Sequence, residues 1–200
     1  MTQSHSQQAE ALLQASLKEL ASMKSSEEKR AYGLAWLDSK EAVEVGMSGM
    51  ETWSIAAFQH MEDVAWAFTN ASAQALEILV DIEPMRMESC AALTANPFLS
   101  SSIFEHLIFN KPSSDTWVIR RLFRRVPSEL ITQNFLNKIY SIISPAASSK
   151  PSWKGLPYHL STLSLSDLIL KTREVHGIED SVPDSYVEKM FLELVEEEDD

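Results

Sequence analysis

The chain reads as an all-α protein, and three observations predict that class. Apolar residues recur at helical spacing from end to end, helix-start signals stand ahead of many of these runs, and strictly alternating stretches bounded by turns are scarce. The expected architecture is an N-terminal helical hairpin or bundle followed by short stacked helices in a solenoid-like array. It is read as a single domain over 1–200: a long-helix part (1–83), a short-helix part (84–143), a long loop (144–163), C-terminal helices (164–197) and an acidic tail (198–200).

Taken in order, the first helix is expected from about Ser6 to Met23, where Leu13, Leu17 and Leu20 recur at helical spacing. Ser25 followed by Glu28 is a capping box, predicting a second helix that turns Tyr32, Ala35, Trp36 and Val43 to the core and is interrupted at Gly46 and Gly49. A third helix is predicted over about Met50 to Asn70, with Trp53, Ala57, Met61, Val64 and Phe68 on one stripe and Trp66 beside it. Residues 71–80 continue it or form a separate helix, and Pro84 closes the region. Beyond that point Pro97, Pro112 and Pro127 punctuate shorter helices. Residues 144–163 carry three prolines, a glycine and many serines without periodicity, which predicts a long loop that is either functional or mobile. A helix over Ser164–His176 stops at Gly177, and Pro183 and Asp184 open a last one before the run of Glu and Asp at the end.

With an apolar fraction of 44%, five Trp and eight Phe, the composition supports a folded core, although the formal net charge is −12. That charge is uneven. Residues 1–100 carry −8 and 161–200 carry −9, whereas 101–160 hold eight Lys and Arg against three Asp and Glu, a net of +5. The lone Cys90 cannot form an intrachain disulfide and sits among small and apolar residues, as a buried thiol does. The N-terminus has neither the basic start nor the apolar run of a secretory signal, and no stretch approaches the ~20 apolar residues that cross a bilayer. The expectation is a cytoplasmic protein that does not contact the membrane; a substrate of a specialised secretion system reads the same way.

Two segments share a pattern. Ser89-Cys90-Ala91-Ala92-Leu93-Thr94-Ala95-Asn96-Pro97 and Ile119-Arg120-Arg121-Leu122-Phe123-Arg124-Arg125-Val126-Pro127 end on prolines 30 residues apart, with Val126 where the first copy has Asn96. Each resembles the helix end of variant leucine-rich repeats, short stacked helix pairs similar in style to HEAT-like repeats. Arg120 falls at that family's characteristic arginine and Trp117 at its upstream aromatic. The resemblance covers about residues 85–140 and implies a binding scaffold whose partners vary widely.

The helix expected over Ser114–Arg125 is the main candidate for function. Val118, Ile119, Leu122, Phe123 and Val126 form its apolar stripe, while Trp117, Arg120, Arg121, Arg124 and Arg125 fall on the adjacent face. Arginine suits bidentate contact with carboxylate or phosphate. That face therefore predicts binding to the acidic surface of a protein partner, with Trp153, flanked by Lys150 and Lys154 in the long loop, as a second anchor. Internal pairing of the arginines is the competing reading. The alternatives are a nucleic-acid-associated regulator using the same face, which the net acidity disfavours, and an inhibitor whose acidic groups imitate phosphates. A homodimer through an exposed helix face stays open.

Catalysis is not expected. The chain has no G-x-S-x-G elbow, P-loop, dinucleotide-binding glycine pattern or H-E-x-x-H, and no base is indicated near Cys90. His60 and Asp63 stand one helical turn apart, but no second His-carboxylate pair accompanies them at comparable spacing, so neither a metal nor another cofactor is predicted.

Overall fold

The computed structural model describes residues 5–84, 86–110, 116–143, 164–187 and 189. The class is all-α, with no strand among the described residues. The helices are α1 (His5–Ser22), α2 (Ser26–Leu37), α3 (Lys40–Ala57), α4 (Met61–Asn70), α5 (Ala73–Ile82), α6 (Met87–Thr94), α7 (Ser101–Phe109), α8 (Thr116–Arg125), α9 (Gln133–Ile143) and α10 (Leu165–His176). A 3-10 turn, η1, spans Ser128–Leu130. No described helix is long and apolar enough to cross a membrane. The chain divides into two compact units, Met1–Leu99 and Ser100–Asp200.

In the first unit α3 packs on α1 and α2, and α6 packs on α4. The capping box at Ser25 and Glu28 is present and opens α2 as the sequence predicts. That helix ends sooner than predicted. Ser39 accepts from the Ala42 N–H and starts α3, which carries Val43 away from the core and leaves it 66% exposed. Gly46 is non-helical at φ 70° and ψ −179°, so the helical path is interrupted there as expected, whereas Gly49 stays helical. The stripe expected from Met50 to Asn70 is also broken, because Phe58–His60 separates α3 from α4. Trp53, Ala57 and Phe68 are buried as the stripe requires, whereas Met61 is exposed and Val64 and Trp66 are half-buried.

The centre of this unit is aromatic. Trp36 and Trp53 stack with ring centroids 4.3 Å apart, and Tyr32 meets Trp53 edge-on at 5.6 Å. Trp53 Nε1 donates to the Gly33 carbonyl at 3.0 Å, and Trp36 Nε1 donates to Ser16 Oγ at 3.0 Å, so both buried indoles are satisfied. α2 and α3 meet so closely that a Cβ on Gly33 would stand 2.5 Å from that of Ala57. Burial, together with the hydrogen bond and charge of Glu19 at 2.8 Å, pushes the Tyr32 hydroxyl up to about 12.

Asn96, after α6, is 4% exposed and locks that helix to the end of α4. Its Nδ2 donates to the carbonyls of Phe68 (2.7 Å) and Ala71 (3.0 Å), and its Oδ1 accepts from the Phe98 N–H at 2.7 Å. The Asn-Pro end of the first repeat-like segment thus has a packing role of its own.

The second unit is built on phenylalanines. Phe104 of α7, Phe123 of α8 and Phe135 of α9 are fully buried, and Phe135 lies 5.1 Å from Phe104 and 6.2 Å from Phe123 by ring centroids. α10 opens with its own capping box at Ser164 and Asp167 and closes at Gly177, whose left-handed φ of 61° lets the Ile178 N–H return to the Arg173 carbonyl at 2.9 Å.

Candidate functional site

α8 amphipathicity is realised in three dimensions. Leu122, Phe123 and Val126 are buried in the phenylalanine core and hold the helix by its apolar stripe. Opposite that stripe, Arg124 and Arg125 are exposed and Arg121 is half-buried. The backbone of Trp117 and Arg120 is helical, while their side chains, with those of Val118 and Ile119, lie outside the described residues, as do Trp153 and its loop and the acidic tail. Ser113 and Ser114, where that helix was expected to start, fall outside them too.

The structure pairs one of the candidate arginines internally. Arg124 donates to Asp167 Oδ1 from Nε at 3.0 Å and from Nη2 at 2.6 Å, linking the end of α8 to the start of α10. The two partners differ sharply in environment: the Arg124 side chain is 61% exposed and that of Asp167 only 4%. The other oxygen of Asp167, Oδ2, accepts from the Ser164 hydroxyl at 2.8 Å and from the Ser164 N–H at 3.3 Å. Burial works against ionisation here, but the hydrogen bonds from Arg124 and Ser164 outweigh it and hold the carboxyl below the ordinary aspartate range.

Two further cations of α10, Lys171 and Arg173, are buried. Lys171 Nζ donates to the Val126 carbonyl, just beyond α8, at 3.2 Å and to Glu174 Oε2 at 2.6 Å. A cation at that position satisfies a helix-terminal carbonyl and faces the negative end of the α8 dipole. Arg173 gathers the following turn, donating to the carbonyls of Glu179 (2.8 Å) and Val182 and to Asp184 Oδ1 (2.7 Å). Asp167 and Lys171 therefore tie α10 to the end of α8, while Arg173 fastens the turn that follows α10.

Chemically, guanidinium groups suit carboxylates, and the fold places one, Asp167, against Arg124. Arg124 is preoriented by Asp167, and Arg125 points its guanidinium to solvent one residue later. Elsewhere, no group of three or more His, Cys, Asp or Glu that could hold a metal occurs among the described residues. Asp63 is buried and faces Arg30 at 3.9 Å, while His60 is exposed. Cys90 is fully buried, as its sequence context predicts.

Sequence reasoning missed Asp167, Lys171 and Arg173. Their signal was present: three charged residues interleave with Leu168, Ile169 and Leu170 on one helix, so some had to fall on its packed side. Their partners, 43 and 45 residues away for Asp167 and Lys171, left no local trace. No protein-family model matches the chain, and neither the curated proteins nor the solved structures provide a match.

Proposed function

We propose that the protein is a non-catalytic binding module, an adaptor, chaperone-like factor or inhibitor of the cytoplasm, that receives the acidic surface of a protein partner on the basic face of α8. The observation that carries this reading is the Arg124–Asp167 pair: a guanidinium of this face, held on an anchored helix, already engages a carboxylate through two hydrogen bonds. A partner carboxylate would find Arg125 beside it and would extend over Arg120, Arg121 and Trp117, with Trp153 as an outlying anchor. Rigid presentation supports specificity, because Leu122 and Phe123 hold the helix and little of it needs ordering on binding.

The test compares the proteins captured from native lysate by the wild-type chain and by the Arg120/Arg121/Arg125→Glu variant, which spares the internal pair. Loss of specific, acidic partners in the variant is expected. Identical capture profiles would refute the assignment. Retention on double-stranded DNA that weakens steeply with salt would transfer the face to the phosphate backbone of nucleic acid instead.

A further inference from the structure

The second unit joins two segments of opposite charge: residues 101–160 carry +5 and residues 161–200 carry −9. Along α10 the charges are balanced locally, because Asp167 is paired with Arg124 and Glu174 with Lys171. Most of the acid lies further on. Residues 188–200 hold seven Asp and Glu against Lys189, and every position from Glu196 to Asp200 is acidic.

On the basic side, the last turn of α8 has donors to spare. A guanidinium carries five N–H donors, and Asp167 takes two of them from Arg124, whose side chain stays 61% exposed. Arg125 beside it is exposed as well. Because Leu122, Phe123 and Val126 are buried, this turn needs little ordering before it receives a carboxylate.

The path of the chain leads the acidic residues back to this end of α8. Lys171 Nζ reaches the Val126 carbonyl at 3.2 Å, and Arg173, two residues further along α10, reaches Asp184 at 2.7 Å. Val187, one turn beyond Asp184, is buried and so fixes the point from which residues 188–200 depart. That stretch spans up to about 45 Å when extended, roughly three times the ~15 Å length of α8. A segment tethered so near meets the face at an effective concentration on the order of millimolar, which a free partner has to match.

We propose that the acidic segment Glu193–Asp200 docks on the last turn of α8 in the free protein, its carboxylates against Arg124 and Arg125, and that a protein partner must displace it. This docking depends on α8 being the carboxylate-binding face proposed above, to which it adds a competitor within the same chain.

The experiment follows the arginine Nε–Hε and α8 amide resonances of the full chain by NMR, in wild type and in the variant Glu196→Gln/Glu197→Gln/Glu198→Gln/Asp199→Asn/Asp200→Asn. Neutralisation should shift the Arg124 and Arg125 signals. Raising the salt from about 0.1 M to 1 M, which shortens the screening length from about 10 Å to about 3 Å, should move the wild-type signals toward the variant's positions. A synthetic peptide of residues 188–200 should bind the neutralised variant about tenfold more tightly than wild type, and Arg125→Gln should weaken that binding. Signals of α8 unmoved by neutralisation and by salt would overturn the docking, as would equal peptide affinity for the two proteins; if the variant fails to fold, wild-type signals indifferent to salt decide against it. Shifts that grow with protein concentration would replace the intramolecular contact by one between copies. Capture from lysate reports separately on the partner: a charge-dependent self-contact together with identical capture by wild type and Arg120/Arg121/Arg125→Glu would remove the partner reading and leave the self-contact standing.

Discussion

Removal of the Arg124 guanidinium by Arg124→Ala strips two donors from Asp167 Oδ1 and leaves a carboxylate that is 4% exposed with only Ser164 as partner. A hydrogen bond to a charged group contributes ~1.5–3 kcal/mol, and a fully buried pair would lose more. Because the arginine itself is 61% exposed, water replaces part of what is lost, which brings the expected cost to about 1–1.5 kcal/mol at pH 7. The pH dependence follows from linkage. The folded-state carboxyl titrates below its ordinary value of ~3.9, so its contribution is complete above that value and disappears as pH falls through the lower, folded-state one. The difference between wild type and Arg124→Ala should therefore be full at pH 7 and shrink as the pH falls below about 4. Urea unfolding followed by circular dichroism at pH 7 and at pH 3 measures it, and hydrogen exchange of the α10 amides at pH 7 assigns the loss to that helix. A double-mutant cycle with Asp167→Asn should give a coupling of about 1 kcal/mol. No measurable change at pH 7, or an equal penalty at both pH values, would refute the reasoning.

Asn96→Ala should destabilise the first unit by about 2–3 kcal/mol, since it orphans the Phe68 and Ala71 carbonyls and the Phe98 N–H; chemical denaturation checks this. Gly33→Ala should cost about 1–3 kcal/mol because its Cβ would clash with Ala57 where α2 crosses α3, and the loss should appear as a lower thermal midpoint. Tyr32 should ionise near pH 12, and its titration, followed by ultraviolet difference absorbance, should move toward 10 in Glu19→Gln. The raised value stabilises the folded state up to about pH 10, and that contribution should fade between pH 10 and 12.

The candidate site was legible in part. The spacing of Leu122, Phe123 and Val126 against Arg121, Arg124 and Arg125 displayed both faces of α8, because a 3.6-residue period is a local property. Whether an arginine on that face stays free is not local. Arg124 is paired because α10 brings Asp167 to it from 43 residues further along the chain, and nothing near Arg124 encodes that approach.

The helical class, the starts of α2 and α10 at Ser25 and Ser164, the stop at Gly177 and the burial of Trp53 and Cys90 follow from the sequence alone. Each rests on propensity, capping or periodicity, which act within one or two turns of helix. Tertiary structure alone decided the break at Phe58–His60, the exposure of Val43 and Met61, the close approach of Gly33 to Ala57 and the links of Asp167 and Lys171 to the end of α8. Those outcomes depend on which surfaces meet, and packing between segments distant along the chain overrides a continuous local pattern when it buries more apolar area and satisfies more polar groups.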